Sequence, residues 1–582
     1  MMRKIALLAM MLVSMTSPLF AADAPAVKVW PRLDRVNIPT GLRQFMFFEI
    51  PAPPTGRAAK LTVTLPEKMV IEQLIKGAAP ALPAADRSVK PAGWKQQGNV
   101  AVFEFAPDAF PKNRAAAYLS LAVAVDAAPG EYTLCFRLEA DGMTPVETSL
   151  PLIVHPPLRG EQPKQVAVIT YDYPGLAPEF IDPFLHMMKS AGINTIHRMR
   201  AEEPGKTGVL DRAAAFGIQC GLIFFVHQIQ QHFDKNPLPD DAKIDHRSLA
   251  ALLDRPEVFK AMMREFFRER LTEPYVSVTY DAERGAFSGG KAVGDLSAYS
   301  LAKFRTFAGL PEDTVLDAAV ITARHRSEWT AYNCQLTVEF AKLFREYLNE
   351  NHPQLSFEIY SGYQFDTGPN QNRTRELYSV DWAKLADVGF DSAIAGYFGS
   401  RTDIQNTAAA LRGRAALIPA EMYVENFNRE KFVERPFDKW SIRLLQSYLA
   451  GSRRGLGLWY ANVMDGNALL AIDRITTLIA RTEETLVNGV EDDKSIIVQP
   501  RTDAGAVTVL RHGGYVLAVA VNPDDRPKTI RLNLAGFNLK GYTGELAVTD
   551  VMTGKKIAPA KVLEIEIAPR DFRALQIFED GN

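Results

Sequence analysis

The sequence predicts an α/β protein: a (β/α)8 TIM barrel flanked by an N-terminal and a C-terminal β-sandwich domain. Three observations lead there. From Gln165 to about Leu486, strand-like runs alternate with long amphipathic stretches, the pattern of βα units on a parallel sheet. Before and after that region the runs are short, apolar and broken by turn residues, as in sandwiches. The length of 582 residues exceeds what one core holds, so roughly three to four domains are expected.

Residues 1–22 read as a signal peptide. Arg3 and Lys4 supply a positive start, and Ile5 to Val13 form an apolar stretch too short to span a bilayer. Ala21, Ala22 and Ala24 offer small residues for cleavage, which implies a periplasmic or secreted protein with no membrane span once the leader is removed. An uncleaved anchor is the competing reading.

Residues 24–157 form the expected N-terminal β-sandwich, with runs such as Leu61–Leu65, Val100–Phe105 and Tyr118–Val125. His155-Pro156-Pro157 and the polar stretch to Gln162 read as a linker. The barrel follows over 165–487. Its eight expected strands are Val166–Tyr171, Thr195–Met199, Gln219–Val226, Tyr275–Tyr280, Ser356–Tyr360, Ser392–Tyr397, Ala415–Pro419 and Gly455–Tyr460. Gly192, Gly217 and Gly451 stand where helices between them should stop. An open doubly wound sheet competes, but no Gly-x-Gly-x-x-Gly turn follows the first strand. Ser288 to Gly294 reads as a flexible loop. Residues 490–582 return to β-like runs and form the expected C-terminal β-sandwich, packed on the barrel, with glycan binding as the competing role.

The formal net charge of −2 gives no electrostatic footprint for nucleic acid or anionic lipid, whereas a carbohydrate substrate is compatible with it. Cys135, Cys220 and Cys334 are odd in number and far apart, so they read as buried core residues rather than a disulfide framework. Nothing resembles a zinc site, a Gly-x-Ser-x-Gly elbow or a His-x-His at the first strand, so neither a metal nor a cofactor is expected.

Barrel enzymes carry their chemistry at the C-terminal ends of strands. The fourth strand runs into Asp281-Ala282-Glu283, and residues two apart share a face, so both acids are expected at the mouth. The seventh strand is expected to end at Pro419, which lacks a ladder N–H, and so places Glu421 at the mouth as well. Carboxylates on strands four and seven suit glycosidic cleavage, in which one protonates the leaving oxygen and the other attacks or activates water.

This arrangement resembles clan A of the retaining glycoside hydrolases, over a little more than half of the chain. The resemblance implies Glu283 as acid/base and Glu421 as nucleophile. It further implies that Arg198 lies beside the nucleophile, that His227 ends strand three, and that Tyr397 and Trp459 form substrate platforms. The chain departs from the clan at Ala282, where an asparagine is usual. The Asp281-x-Glu283 spacing also resembles substrate-assisted hexosaminidases and chitinases, with Asp281 orienting an acetamido group and Glu421 not required. A non-catalytic carbohydrate-binding barrel is the third reading. Tyr171, Asp172, Tyr173, Tyr360, Tyr363 and Asp465 are further expected lining residues, and Glu425 rivals Glu421.

Overall fold

A computed structural model describes residues 26–29, 35–74, 89–110, 116–172, 181–198, 208–236, 245–271, 275–362, 373–397, 399–423, 437–459, 464–492, 496–499, 506–534, 546–558 and 560–579. The leader, Tyr173, Tyr363 and Glu425 lie outside these residues. The chain divides into two compact units between His155 and Pro156, with residues 42–44 assigned to the second.

In the first unit a four-stranded and a six-stranded sheet face one another across a shared apolar core. Alternation does the work. In Ala59–Thr64, residues 59, 61 and 63 are buried while Lys60 is exposed, so one face of the strand meets the opposite sheet. Phe48 and Phe136 meet edge to face at 4.9 Å in that core. Cys135 lies on the outer face instead and is exposed, which corrects its expected burial; Cys220 and Cys334 are buried.

The second unit begins with a closed barrel of eight strands: Ala167–Asp172, Thr195–Arg198, Gln219–Phe225, Tyr275–Asp281, Ser356–Ser361, Ser392–Ala395, Ala416–Met422 and Gly455–Trp459. Every neighbouring pair is parallel, and Ala167 to Thr170 pair with Gly455 to Leu458 to close the ring. Strands covered on both faces need apolar residues on both, which is why they read as nearly continuous apolar runs. The inward set includes Ile169, Tyr171, Ile223, Tyr360, Ile394, Ile418 and Ala420. The connecting helices include Ile181–Ser190, Arg326–Asn351, Phe437–Ala450 and Gly466–Asn488. Gly192 and Gly217 end their helices with φ of 78° and 70°, whereas Gly451 keeps an ordinary backbone.

The stretch from Ser288 to Gly294 is no loose loop. Phe287–Ser288 pairs with Lys291–Ala292 in a hairpin whose two turn residues, Gly289 and Gly290, both have positive φ, as a tight primed turn demands.

The C-terminal sheets, of six and three strands, enclose a second sandwich core. This sandwich packs on the barrel's last helices. Arg570 pairs with Asp438 at 2.9 Å, Arg474 pairs with Asp571 and lies over Phe572, and Arg481 donates to the carbonyls of Val551 and Met552.

The segment leading into the first barrel strand is fastened to the final helix. Asp473 Oδ1 accepts from the backbone N–H groups of Arg159 and Gly160, both at 3.0 Å. Glu483 accepts from those of Lys164, Gln165 and Val166 at 3.0, 2.6 and 2.8 Å. Three amides on one buried carboxylate leave a heavy debt of unpaired donors if it is removed. Glu483→Ala is therefore expected to lower stability by roughly 3 kcal/mol, measured as the shift in the urea midpoint at constant slope.

Candidate functional site

The pleat of the barrel decides which side chains can meet at its mouth. On the fourth strand Ser277, Thr279 and Asp281 share the inward face: an ideal Cβ at inward Gly221 would sit 2.4 Å from Ser277 Oγ, and Thr279 reaches across to Glu358. Asp281 is the last of this series and is 4 % exposed. Its Oδ1 is buried with no hydrogen-bond partner among the described residues. Burial first, and the Glu283 charge second, push its pKa well above the carboxylate range, against a small opposing effect of the Glu283 backbone N–H. Ionising a carboxyl in that setting is costly until a donor reaches its open oxygen.

Glu283 sits two residues on, at a lip open to solvent on one side. Enough of its carboxyl is enclosed for burial to raise its pKa too. It borders a cavity of about 620 Å³ formed with the Phe287–Ser288 hairpin strand and the Leu377–Tyr378 end of a short helix.

Four aromatics floor the mouth beside these acids. The indole of Trp459 lies 4.5 Å from the Tyr171 ring and 6.2 Å from the Tyr360 ring, nearly parallel to the latter. Tyr397 follows the sixth strand, 6.2 Å from Trp459, and its hydroxyl accepts a hydrogen bond from Tyr360. Burial raises the phenol pKa of Tyr171, Tyr360 and Tyr397, with smaller contributions from neighbouring groups, among them Asp281 for all three and Glu283 for Tyr397. These phenols stay neutral hydrogen-bond donors. The Tyr171 hydroxyl is buried with no partner among the described residues.

Glu421 does not join this group. The seventh strand continues to Met422, because Pro419 lacks a donor toward one neighbour only while Ala420, Glu421 and Met422 stay registered with Gly457, Leu458 and Trp459. Ile418 and Ala420 point inward, so Glu421 points outward, fully buried against the helix Phe437–Ala450. Its Oε1 accepts from Ser447 Oγ at 2.6 Å and lies 2.7 Å from Arg443 Nη2. The expected mouth position of Glu421 is thus corrected. Its cation is Arg443, not Arg198, which follows inward-facing His197 and so lies on the alternate face of its strand.

The other expected residues divide. His227 begins the helix after strand three, exposed at the rim with its ring 5.0 Å from that of Phe225, and partial burial lowers its pKa. Asp465 is a structural cap, accepting from the Ala468 N–H and from the Tyr423 hydroxyl. Sequence reasoning missed an interior polar group below the aromatics. His197 Nε2 lies 3.2 Å from Glu358 Oε2, which also accepts from Thr279 Oγ1 at 2.7 Å. Burial lowers the His197 pKa, partly offset by Glu358. The signal was available in parity: His197 stands two after Thr195, and Glu358 two before Tyr360. Among the described residues no cluster of histidine, cysteine and carboxylate side chains is arranged to hold a metal ion. Among them, too, no helix is long and apolar enough to cross a membrane.

No protein-family model matches the sequence, and no curated protein matches it. Among solved structures the chain is similar to a GH27 β-L-arabinopyranosidase from Geobacillus stearothermophilus, at 8% identity and a TM-score of 0.41, covering 72% of this chain and 97% of that one. It is similar to a family 39 glycoside hydrolase from Bacteroides cellulosilyticus WH2, at 10% identity and a TM-score of 0.34, covering 94% and 99%. It is also similar to a GH30 endoxylanase from Clostridium papyrosolvens C71, at 10% identity and a TM-score of 0.36, covering 72% and 98%.

Two outcomes follow from the two acids. Glu421→Gln is expected to cost roughly 3 kcal/mol in urea denaturation, while any hydrolytic rate stays within about tenfold, because the substitution breaks a buried ion pair remote from the mouth. Asp281→Asn acts in the opposite direction. The raised pKa of Asp281 means that stability present below its unfolded pKa is lost as pH rises toward the folded one. The variant escapes that loss, so its melting temperature should exceed wild type at pH 7, with a smaller gap at pH 4.

Proposed function

We propose that the protein is a glycoside hydrolase that cleaves the bond at C1 of a 2-acetamido sugar, with Glu283 as general acid/base and Asp281 as the residue that positions the acetamido group. The observation that carries this reading is the Asp281–Glu283 pair at the barrel mouth, both with raised pKa, while Glu421 is turned away. With the strand-seven carboxylate engaged elsewhere, the attacking group is best supplied by the substrate itself. The carbohydrate is the proposed substrate, and the neighbours' activities serve only as a parallel.

The chemistry fits the residues. The protonated Glu283 gives its proton to the glycosidic oxygen as the bond from C1 to that oxygen breaks. The acetamido carbonyl oxygen forms the new bond to C1, and Asp281 takes up the developing positive charge through the amide N–H. Water then attacks C1, losing its proton to the Glu283 carboxylate, which reopens the ring with the original configuration retained. Trp459 presents a flat apolar face to the sugar, and the Tyr171 hydroxyl and Asp281 Oδ1, without partners among the described residues, await polar groups of a ligand. The positive start and apolar run of residues 1–22 support export, so the reading places this activity in the periplasm or outside the cell.

The test uses 4-methylumbelliferyl glycosides of N-acetylglucosamine, N-acetylgalactosamine and glucose. The 2-acetamido substrates should be cleaved and the glucoside spared, with inhibition by a thiazoline analogue of the bicyclic intermediate. Glu283→Gln should lose about 10²–10⁴-fold in rate. Since the acid form is required, the wild-type rate should fall as pH rises through the raised pKa of Glu283, and that limb should vanish in Glu283→Gln. Cleavage of the glucoside at an equal rate would remove the assisted mechanism. Sugar binding without cleavage would instead identify a carbohydrate-binding barrel.

A further inference from the structure

The cavity of about 620 Å³ beside Glu283 lies on the strand-four side of the mouth, lined on one wall by Glu283 and Arg284. The aromatic floor belongs to strands one, five and eight and to Tyr397 just past strand six, while Glu283 borders the cavity. If the 2-acetamido sugar occupies the floor, the leaving sugar falls in the cavity. The inference rests on the proposed glycosidase reading for that assignment.

The cavity is a built feature rather than a gap between loops. The Arg284 N–H donates to the Ala282 carbonyl at 2.8 Å, a tight turn in the backbone from which both lining residues project. A Cβ at Gly285 would meet the Leu377 carbonyl oxygen at 2.4 Å, so the backbone there is pressed against the short helix. Opposite, the hairpin is pinned by Trp329 Nε1 donating to the Val293 carbonyl at 2.9 Å. Its size lies within the range of small-molecule sites.

Arg284 is what singles it out. Arg326, near the hairpin, is committed: it forks onto Glu376 at 2.7 and 2.6 Å and covers the Phe287 ring. Among the described residues Arg284 has no such pairing. Its Nη1 is buried with no hydrogen-bond partner among the described residues. The rest of the Arg284 side chain is partly exposed on the cavity wall, and a guanidinium fork matches carboxylate and sulfate oxygens.

We propose that this cavity is a leaving-group subsite for an anionic sugar, a uronic acid or a sulfated residue, held through its acidic group by Arg284. The substrate is accordingly a glycan in which a 2-acetamido sugar is joined to an acidic one.

The experiment is calorimetric titration of the full chain with D-glucuronate, N-acetylglucosamine 6-sulfate and D-glucose. Both or either of the acidic sugars should bind at least about tenfold tighter than glucose, and which one does so separates carboxylate from sulfate recognition. Arg284→Ala should lose about ten- to a hundredfold of that affinity, and Arg284→Lys should regain part of it by charge without the fork. A thermal melt of each variant separates loss of binding from loss of folding. Equal affinity for glucose and the acidic sugars in the wild-type protein overturns the proposal, as does a folded Arg284→Ala that keeps the preference. If acidic sugars bind but no glycoside is cleaved, the hydrolase reading fails and the subsite stands. If uncharged 2-acetamido oligosaccharides are cleaved and no preference for acid is found, the subsite fails and the hydrolase reading stands.

Discussion

Closure of eight parallel strands into a ring fixes the direction of every side chain on them. Each strand is hydrogen-bonded on both edges, so none can rotate or slip by one residue without breaking two ladders. That rigidity sends Asp281 into the mouth, Glu421 into the helical shell and His197 into the interior. Two carboxylates near the ends of strands four and seven thus have opposite fates. One is a buried acid at the mouth whose Oδ1 has no partner among the described residues; the other is half of an ion pair that joins a strand to its helix.

The barrel interior is not wholly apolar. His197, Thr279 and Glu358 occupy a level beneath the aromatic floor, and the edge of the Tyr171–His197 contact, 5.8 Å between rings, joins the two levels. Burying a carboxylate is costly unless its lone pairs are met, and the Thr279 hydroxyl and the imidazole meet them here. The group also limits how the floor can settle, because a hydrogen-bonded side chain has fewer places to sit than an aliphatic one.

Much of the fold was legible in the sequence. Barrel strands covered on both faces leave continuous apolar runs, and all eight appear within a few residues of their expected limits. The positions of Asp281 and Glu283 were legible because the strand ends at Asp281 and Glu283 follows two residues on. Direction on strand seven was not. Pro419 looks like a terminus when only one ladder is considered, yet the pairing with strand eight carries the chain past it to Met422. The interior polar group was hidden for a similar reason: a histidine or glutamate within a short strand reads as a solvent-facing residue until closure decides the faces. Cys135 failed on the same ground, since its strand alternates and the cysteine took the outer position.

The fastening of residues 159–166 to the helix Gly466–Asn488 bears on how the molecule assembles. The first barrel strand has the eighth as one of its neighbours, and the helix beyond that eighth strand supplies the carboxylates that hold its lead-in. Partners more than three hundred residues apart must therefore find each other before the ring is complete. Contacts of such separation are slow to form, and until they do both flanking strands present open edges. A nascent chain would accordingly spend its interval of greatest vulnerability as an unclosed sheet, safe from self-association only once its final helix has been made.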